Sequence, residues 1–183
     1  MSEQTNTHAR ELNTIIVGAG SAGLGTAVIL DQLGIDYLVL EKDEIGSSFK
    51  KWPEESCLIS PSFTGNFFNM PDLNSISPET SPAFNLVTEH PTGKEYAAYL
   101  EIVAEGYNLN VRTQVAVDSI SRNDSHFLIE TTDGLYKSKY VIWAAGEYQY
   151  PKQGSFEGDE LCVHFSQVAS FQPVSMQPSR HHP

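Results

Sequence analysis

The chain has 183 residues, 40% hydrophobic and 19% charged, enough for one globular domain with a genuine core and too few for two full nucleotide-binding domains. A formal net charge of −12, from 23 acids against 11 bases, argues against nucleic acid and against an anionic membrane surface as partners. No apolar run approaches the ~20 residues of a membrane span, and the polar start MSEQTNTHAREL lacks the layout of a secretory signal, so a cytoplasmic protein with no membrane association is expected.

In chain order, residues 1–12 read as a flexible tail. Thr14 to Val17 is an apolar run suited to a buried strand, and Gly18, Gly20 and Gly23 follow in the spacing G-x-G-x-x-G. An apolar-periodic helix then runs from Ala22 to Leu33, with Gly34 as its terminator. Tyr37 to Leu40 is a second buried strand, and Glu41 closes it. Each part has a task in holding a dinucleotide. Gly18 allows the tight turn, Gly20 lets the backbone approach a pyrophosphate, and Gly23 lets helix and strand pack closely. The helix N-terminus offers amides and a positive dipole end, while Glu41 accepts from ribose hydroxyls and disfavours a 2′-phosphate. FAD or NAD, rather than NADP, is the nucleotide expected at this site.

Residues 42–91 have little periodicity and are rich in Ser, Pro, Asn and Phe. A stretch of about fifty such residues is functional or disordered, and Phe49, Trp52, Phe63, Phe67, Phe68, Met70 and Phe84 need somewhere to pack, which favours an ordered loop system over a ligand. Thr92-Gly93-Lys94-Glu95 is a capping box that opens a helix, with Tyr96, Tyr99, Leu100 and Val103 on one face and Gly106 at its end. Leu109 to Val111 reads as a third strand. VAVDSI, HFLIETT, the Asp133-Gly134 turn and LYKSKY follow as an antiparallel meander. Tyr140 to Ala145 reads as the last buried strand, with Trp143 in the core. Cys57 and Cys162 stand alone, and His90, His126 and His164 stand apart, so no metal site is expected. Cys57 reads as a small buried apolar residue, and His164 as a surface or hinge histidine.

With these motifs in place, the chain resembles the flavoproteins that carry two dinucleotide-binding domains, and within them the flavin-containing monooxygenase-like branch. The resemblance covers roughly residues 13–171. Gly18-Ala19-Gly20-Ser21-Ala22-Gly23 is similar to the FAD fingerprint, and Glu41-Lys42 to the acid-base ending of the second strand. Gly46-Ser47-Ser48-Phe49 with Trp52 resembles a loosened G-G-x-W segment beside the flavin. Ala144-Ala145-Gly146 stands in the place of the A-T-G strand end. Phe156-Glu157-Gly158 and His164 resemble the F-x-G-x-x-x-H element, with the histidine two residues late. The family's adenine-holding backbone maps near Val117. The resemblance implies an α/β, glutathione-reductase-like FAD-binding Rossmann-type domain, with a parallel core sheet and an antiparallel β-meander. Its cofactor would be FAD, with NAD(P)H as hydride donor in a longer form and a small molecule as substrate. It further implies a flavin-binding domain over residues 13–150, a linker over 151–172 and an irregular tail over 173–183. A second G-x-G-x-S-x-G unit and a C-terminal Gly-Asp strand end are not found in the 183 residues, so the N-terminal portion of a longer enzyme is expected.

Three functions remain open on this reading. The first is a monooxygenase-like FAD-dependent oxidoreductase, with Trp52, Ser62 and Phe63 walling the flavin and with no assignable catalytic residue. The second is a low-molecular-weight disulfide or thiol reductase, against which Cys57 has no dithiol partner. The third is a non-catalytic dinucleotide-binding domain. Oligomeric state is not legible.

Overall fold

The computed structural model describes residues 9–63, 72–147, 149–152 and 154–171; Phe67, Phe68, Met70, His181, His182 and most of both tails lie outside these. Strand β1 (Arg10–Val17) leads into helix α1 (Ser21–Gln32), then β2 (Tyr37–Leu40). Two short helices follow, α2 (Ser47–Lys50) and α3 (Pro82–Leu86), and then the longer α4 (Gly93–Gly106). The strands β3 (Val111–Arg112), β4 (Val117–Asn123), β5 (His126–Thr131) and β6 (Gly134–Trp143) complete the sheet, and two 3-10 turns, Asp159–Leu161 and Phe165–Gln167, come after it.

Among the described residues six strands form one sheet in the order β3-β2-β1-β6-β5-β4. The pairs β3–β2, β2–β1 and β1–β6 are parallel, while β6–β5 and β5–β4 are antiparallel. This is the expected parallel core with a meander. Register carries the functional point. Val17 lies opposite both Leu40 and Trp143, so the residues that follow them, Gly18, Glu41 and Ala144, leave the sheet side by side. Carboxyl ends of parallel strands are where such sheets bind ligands.

Alternation along β1 and β2 splits the core in two. Ile16, Tyr37 and Val39 face Leu24, Ala27 and Val28 of α1 and Tyr96, Tyr99, Leu100 and Val103 of α4. Ile15, Val17, Leu38 and Leu40 face Val115, Ile129 and Tyr136, so the meander folds over the opposite face. The α4 capping box is complete, with Thr92 accepting from the Glu95 amide and Glu95 accepting from the Thr92 amide at 2.7 Å. Among the described residues no helix is long and apolar enough to cross a membrane.

Several expectations are corrected. The third strand begins at Val111, not Leu109, because the Leu109 amide donates to Ala104 at 2.9 Å and closes the end of α4. LYKSKY and YVIWAAG are not two strands but one, β6. Its second half is not buried: Tyr140 is 61% and Trp143 64% exposed. β5 pairs with β6 only as far as Ser138, which leaves residues 140–143 paired with β1 alone. Phe84 is exposed, and Cys57 is exposed rather than buried. The long loop holds α2 and α3, too short to show a period. Yet Ser81 caps α3, accepting from the Ala83 amide at 3.2 Å, and Pro82 opens it, a readable start signal.

Candidate functional site

The turn from β1 into α1 is built by three glycines with different duties. Gly18 adopts φ +107°, and a Cβ there would lie 2.4 Å from the Ala144 carbonyl oxygen; its amide donates to Leu40 at 2.8 Å. A Cβ on Gly23 would lie 1.9 Å from the Gly18 carbonyl oxygen, so helix and strand meet here only without a side chain. Gly20 is the contrast. A Cβ there meets nothing within 4 Å, and the space it would enter is open.

Gly20 is also the N-cap of α1, with no side-chain cap and no acid in the first turn. A helix start leaves its first amides without intrahelical acceptors. In α4 a Thr–Glu capping box takes up that demand, while at the start of α1 no side chain does so. The positive end of the helix dipole lies at the same place.

Glu41 stands beside this opening, 8% exposed. One carboxylate oxygen accepts from the Ala19 amide at 2.8 Å and the other from the Asp43 amide at 2.9 Å. Two backbone donors thus fix the acid against the glycine turn, and its remaining lone pairs are available to hydroxyls. Its backbone is fixed as well, its amide donating to Arg112 at 2.8 Å and its carbonyl accepting from Val115 at 2.9 Å. Gly46, at φ +68°, donates to the Ala19 carbonyl at 3.0 Å and packs against Ala97 of α4. On the other flank the Ala144 amide donates to Val17 at 2.8 Å, followed by Ala145 and by Gly146 at φ +80°.

The structure therefore gathers Gly18, Gly20, Ser21, Ala22, Gly23, Glu41, Gly46, Ala145 and Gly146 at one end of the sheet. Lys42 follows Glu41 and is exposed. Ser62 is 1% exposed and accepts from Asn74 Nδ2 at 2.8 Å, so its side chain turns inward, while neighbouring Phe63 is exposed. Val117 pairs with Thr131 at the start of β4, and the residue that touches Glu41 is Val115, two positions earlier. Trp52 sits in a ring cluster, 5.1 Å from Phe49 and 6.4 Å from Phe165. It walls a cavity of about 320 Å³ with Lys50, Lys51, Lys94 and residues 166–169, which shares no residue with the glycine turn. Each of those lysines faces a carboxylate: Lys50 contacts Glu44 and Glu101, Lys51 contacts Asp43, and Lys94 contacts Glu54. The Glu101 and Glu44 carboxylates raise the Lys50 ammonium above its ordinary pKa.

Some contributors escaped the motif reading. Ala19 lies inside the fingerprint but works through its amide, a role no side chain advertises. Gly93 is needed because a Cβ would lie 2.2 Å from the Phe49 carbonyl oxygen. Neither α2 nor its approach to α4 has a sequence signal.

The sequence profile of a family described as pyridine nucleotide-disulphide oxidoreductase matches residues 15–179. An uncharacterized oxidoreductase CzcO of Bacillus velezensis is 27% identical over 87% of this chain and 43% of its own length. The probable indole-3-pyruvate monooxygenase YUCCA1 of Arabidopsis thaliana is 31% identical over 85% of this chain and 37% of its own. Among solved structures, the bacillithiol disulfide reductase Bdr (YpdA) from Staphylococcus aureus aligns with a TM-score of 0.66 at 25% identity, covering 83% of this chain and 43% of that one. The chain thus spans less than half the length of the relatives it matches. Because that profile spans most of the 183 residues, the chain belongs to the pyridine nucleotide-disulphide oxidoreductase family.

Proposed function

We propose that residues 13–150 form the FAD-binding part of an NAD(P)H-dependent flavoprotein oxidoreductase of the monooxygenase type, acting on a small molecule. The observation that carries this is the uncapped start of α1, with open space at Gly20 beside a carboxylate held by two backbone amides. The amides of Ser21 and Ala22 take the pyrophosphate and Glu41 takes ribose hydroxyls, with a charge that opposes a 2′-phosphate. The residues present fit the group. When bound, the isoalloxazine supplies the electron-transfer chemistry, and the protein supplies orientation and exclusion of water. Phe63 is the aromatic cover in this reading, and the backbone between Val115 and Val117 the edge for adenine. Residues 151–172 serve as the linker toward an NAD(P)H-binding unit, since the one fingerprint within the 183 residues is committed to FAD.

The likeness to the probable monooxygenase YUCCA1 supports this assignment. A second reading, a low-molecular-weight disulfide reductase, is favoured by the likeness to Bdr. Neither cysteine has a cysteine partner, so these residues supply no dithiol to such a reductase. The test is to load the protein with FAD, reduce it with dithionite and time its reoxidation. The monooxygenase reading expects dioxygen to reoxidise it with no acceleration by cystine or oxidised glutathione. Acceleration by either disulfide under anaerobic conditions would transfer the assignment to the reductase.

A further inference from the structure

Outside the nucleotide turn, a buried polar network centres on Asn74, which no motif marks. Asn74 is 7% exposed. Its Nδ2 donates to the Ser60 carbonyl at 2.7 Å and to Ser62 Oγ at 2.8 Å. Because Ser60 presents a carbonyl oxygen, only the NH₂ end of the amide suits that place. The backbone of Asn74 is held from two further sides. Its amide donates to Asp72 Oδ1 at 2.9 Å, and its carbonyl accepts from the Tyr96 hydroxyl of α4 at 3.0 Å.

The network continues on both sides of this clasp. Ser81 Oγ donates to Asp72 Oδ2 at 2.6 Å and lies 3.4 Å from the Phe63 carbonyl. The Ser62 amide donates to Glu89 at 2.7 Å. Two residues beyond Asn74, the Ile76 amide donates to the Tyr99 hydroxyl at 2.8 Å, and the Ile76 side chain reaches to 4.0 Å from where a Cβ on Gly25 of α1 would stand. The segment that Asn74 anchors is thus seated on α4 and on the helix whose first turn faces the nucleotide. Holding Ser62 inward leaves Phe63 on the exposed side.

We infer that Asn74 is the positioning residue for the flavin-side loop: its carboxamide locks Ser62 inward and so presents Phe63 toward the isoalloxazine end of the FAD site. This rests on the FAD reading above. It goes beyond that reading by naming a residue that touches no cofactor atom and acts through Ser60 and Ser62. Isosteric replacement by a carboxylate sets an acceptor against the Ser60 carbonyl and breaks the clasp with almost no change of volume.

The experiment compares FAD with ADP, which carries the half of the cofactor that the glycine turn and Glu41 hold. Wild type, Asn74→Asp and Ser62→Ala are each titrated with both by calorimetry, and the visible circular dichroism of bound FAD is recorded. In Asn74→Asp, ADP affinity stays within about twofold of wild type. FAD affinity falls about tenfold, the worth of one buried hydrogen bond, and the flavin dichroism changes. Ser62→Ala, which keeps the bond to Ser60, shifts the dichroism in the same direction by less. Equal losses for ADP and FAD, or an unchanged flavin dichroism in both variants, would mean that Asn74 only supports the fold. If Asn74→Asp does not fold, the Ser62→Ala spectrum decides alone. A wild-type protein that binds ADP but gains nothing from the flavin half would refute this role while leaving the glycine turn as a nucleotide site. One that binds neither would remove the FAD reading itself.

Discussion

Gly20 and Gly23 lie three residues apart in one motif, yet the structure assigns them opposite duties, and a pair of substitutions separates these. At Gly23 an added methyl meets the Gly18 carbonyl oxygen at 1.9 Å. That neighbour is backbone, so α1 must move by roughly 1 Å in a close-packed layer. Overpacking against a rigid neighbour costs about 3 kcal/mol, and alanine's helix preference over glycine returns about 1 kcal/mol. The net loss for Gly23→Ala is about 2 kcal/mol, or roughly 4–8 °C in Tm for a chain of this size. Gly20→Val adds a side chain into open space at extended backbone angles, φ −85° and ψ −172°. It costs only the weaker N-cap, about 1 kcal/mol or less. Its branched side chain, however, fills the pyrophosphate path. Losing two charge-assisted amide–phosphate bonds removes at least about 3 kcal/mol, more than 100-fold in affinity. Thermal melts of the ligand-free proteins and calorimetry with FAD measure both. A Gly20→Val protein that binds FAD like wild type, or that melts as low as Gly23→Ala, would refute the division of labour.

Glu41→Gln should weaken FAD binding by about 1.5–3 kcal/mol. It should also lower Tm without ligand, because a carboxamide has one oxygen for the two amides of Ala19 and Asp43; an unchanged melt would contradict that geometry. Cys57→Ser should leave FAD binding and flavin reoxidation unaltered, since the thiol is exposed and Cys162 is likewise unpaired; a loss of turnover with FAD still bound would favour thiol chemistry. The Tyr136 hydroxyl and the Arg112 guanidinium hold the Asp133 carboxyl below its ordinary range. A carboxyl depressed in the folded state stabilises above its unfolded pKa and loses that contribution as pH falls through the folded value. Asp133→Asn should therefore melt lower than wild type at pH 7, with the gap narrowing only below about pH 4 and closing below the folded-state value, as read from melts across pH; parallel curves would contradict the coupling.

How far the fold was legible depends on how local the physics is. Tyr37–Leu40 is legible at its true bounds because four apolar residues stand between two acids, Asp36 and Glu41. The α4 start was legible because a capping box needs only four residues. By contrast, the sequence reading divides β6 at Tyr140, just past the point where the pairing with β1 skips Asn13 and Lys139. Trp143 looked like core because it ends an apolar run; what uncovers it is the early end of β5, a fact of pairing rather than of composition. The glycine turn, Glu41 and Gly46 were readable as site residues from their spacing. The clasp of Asn74 on Ser62 was not, since it joins residues twelve apart through buried polar groups with no period.

The claim on which the account rests is that the pyrophosphate lies on the open first turn of α1. Backbone amide shifts of the isotopically labelled protein, followed while FAD or ADP is added, address it residue by residue. The account predicts the largest shifts at Gly20, Ser21 and Ala22, with smaller ones at Glu41 and Gly146, and the same pattern in the α1 turn for both ligands. Shifts centred on Lys50, Trp52 and Lys94 around the separate cavity, with the α1 turn silent, would contradict it.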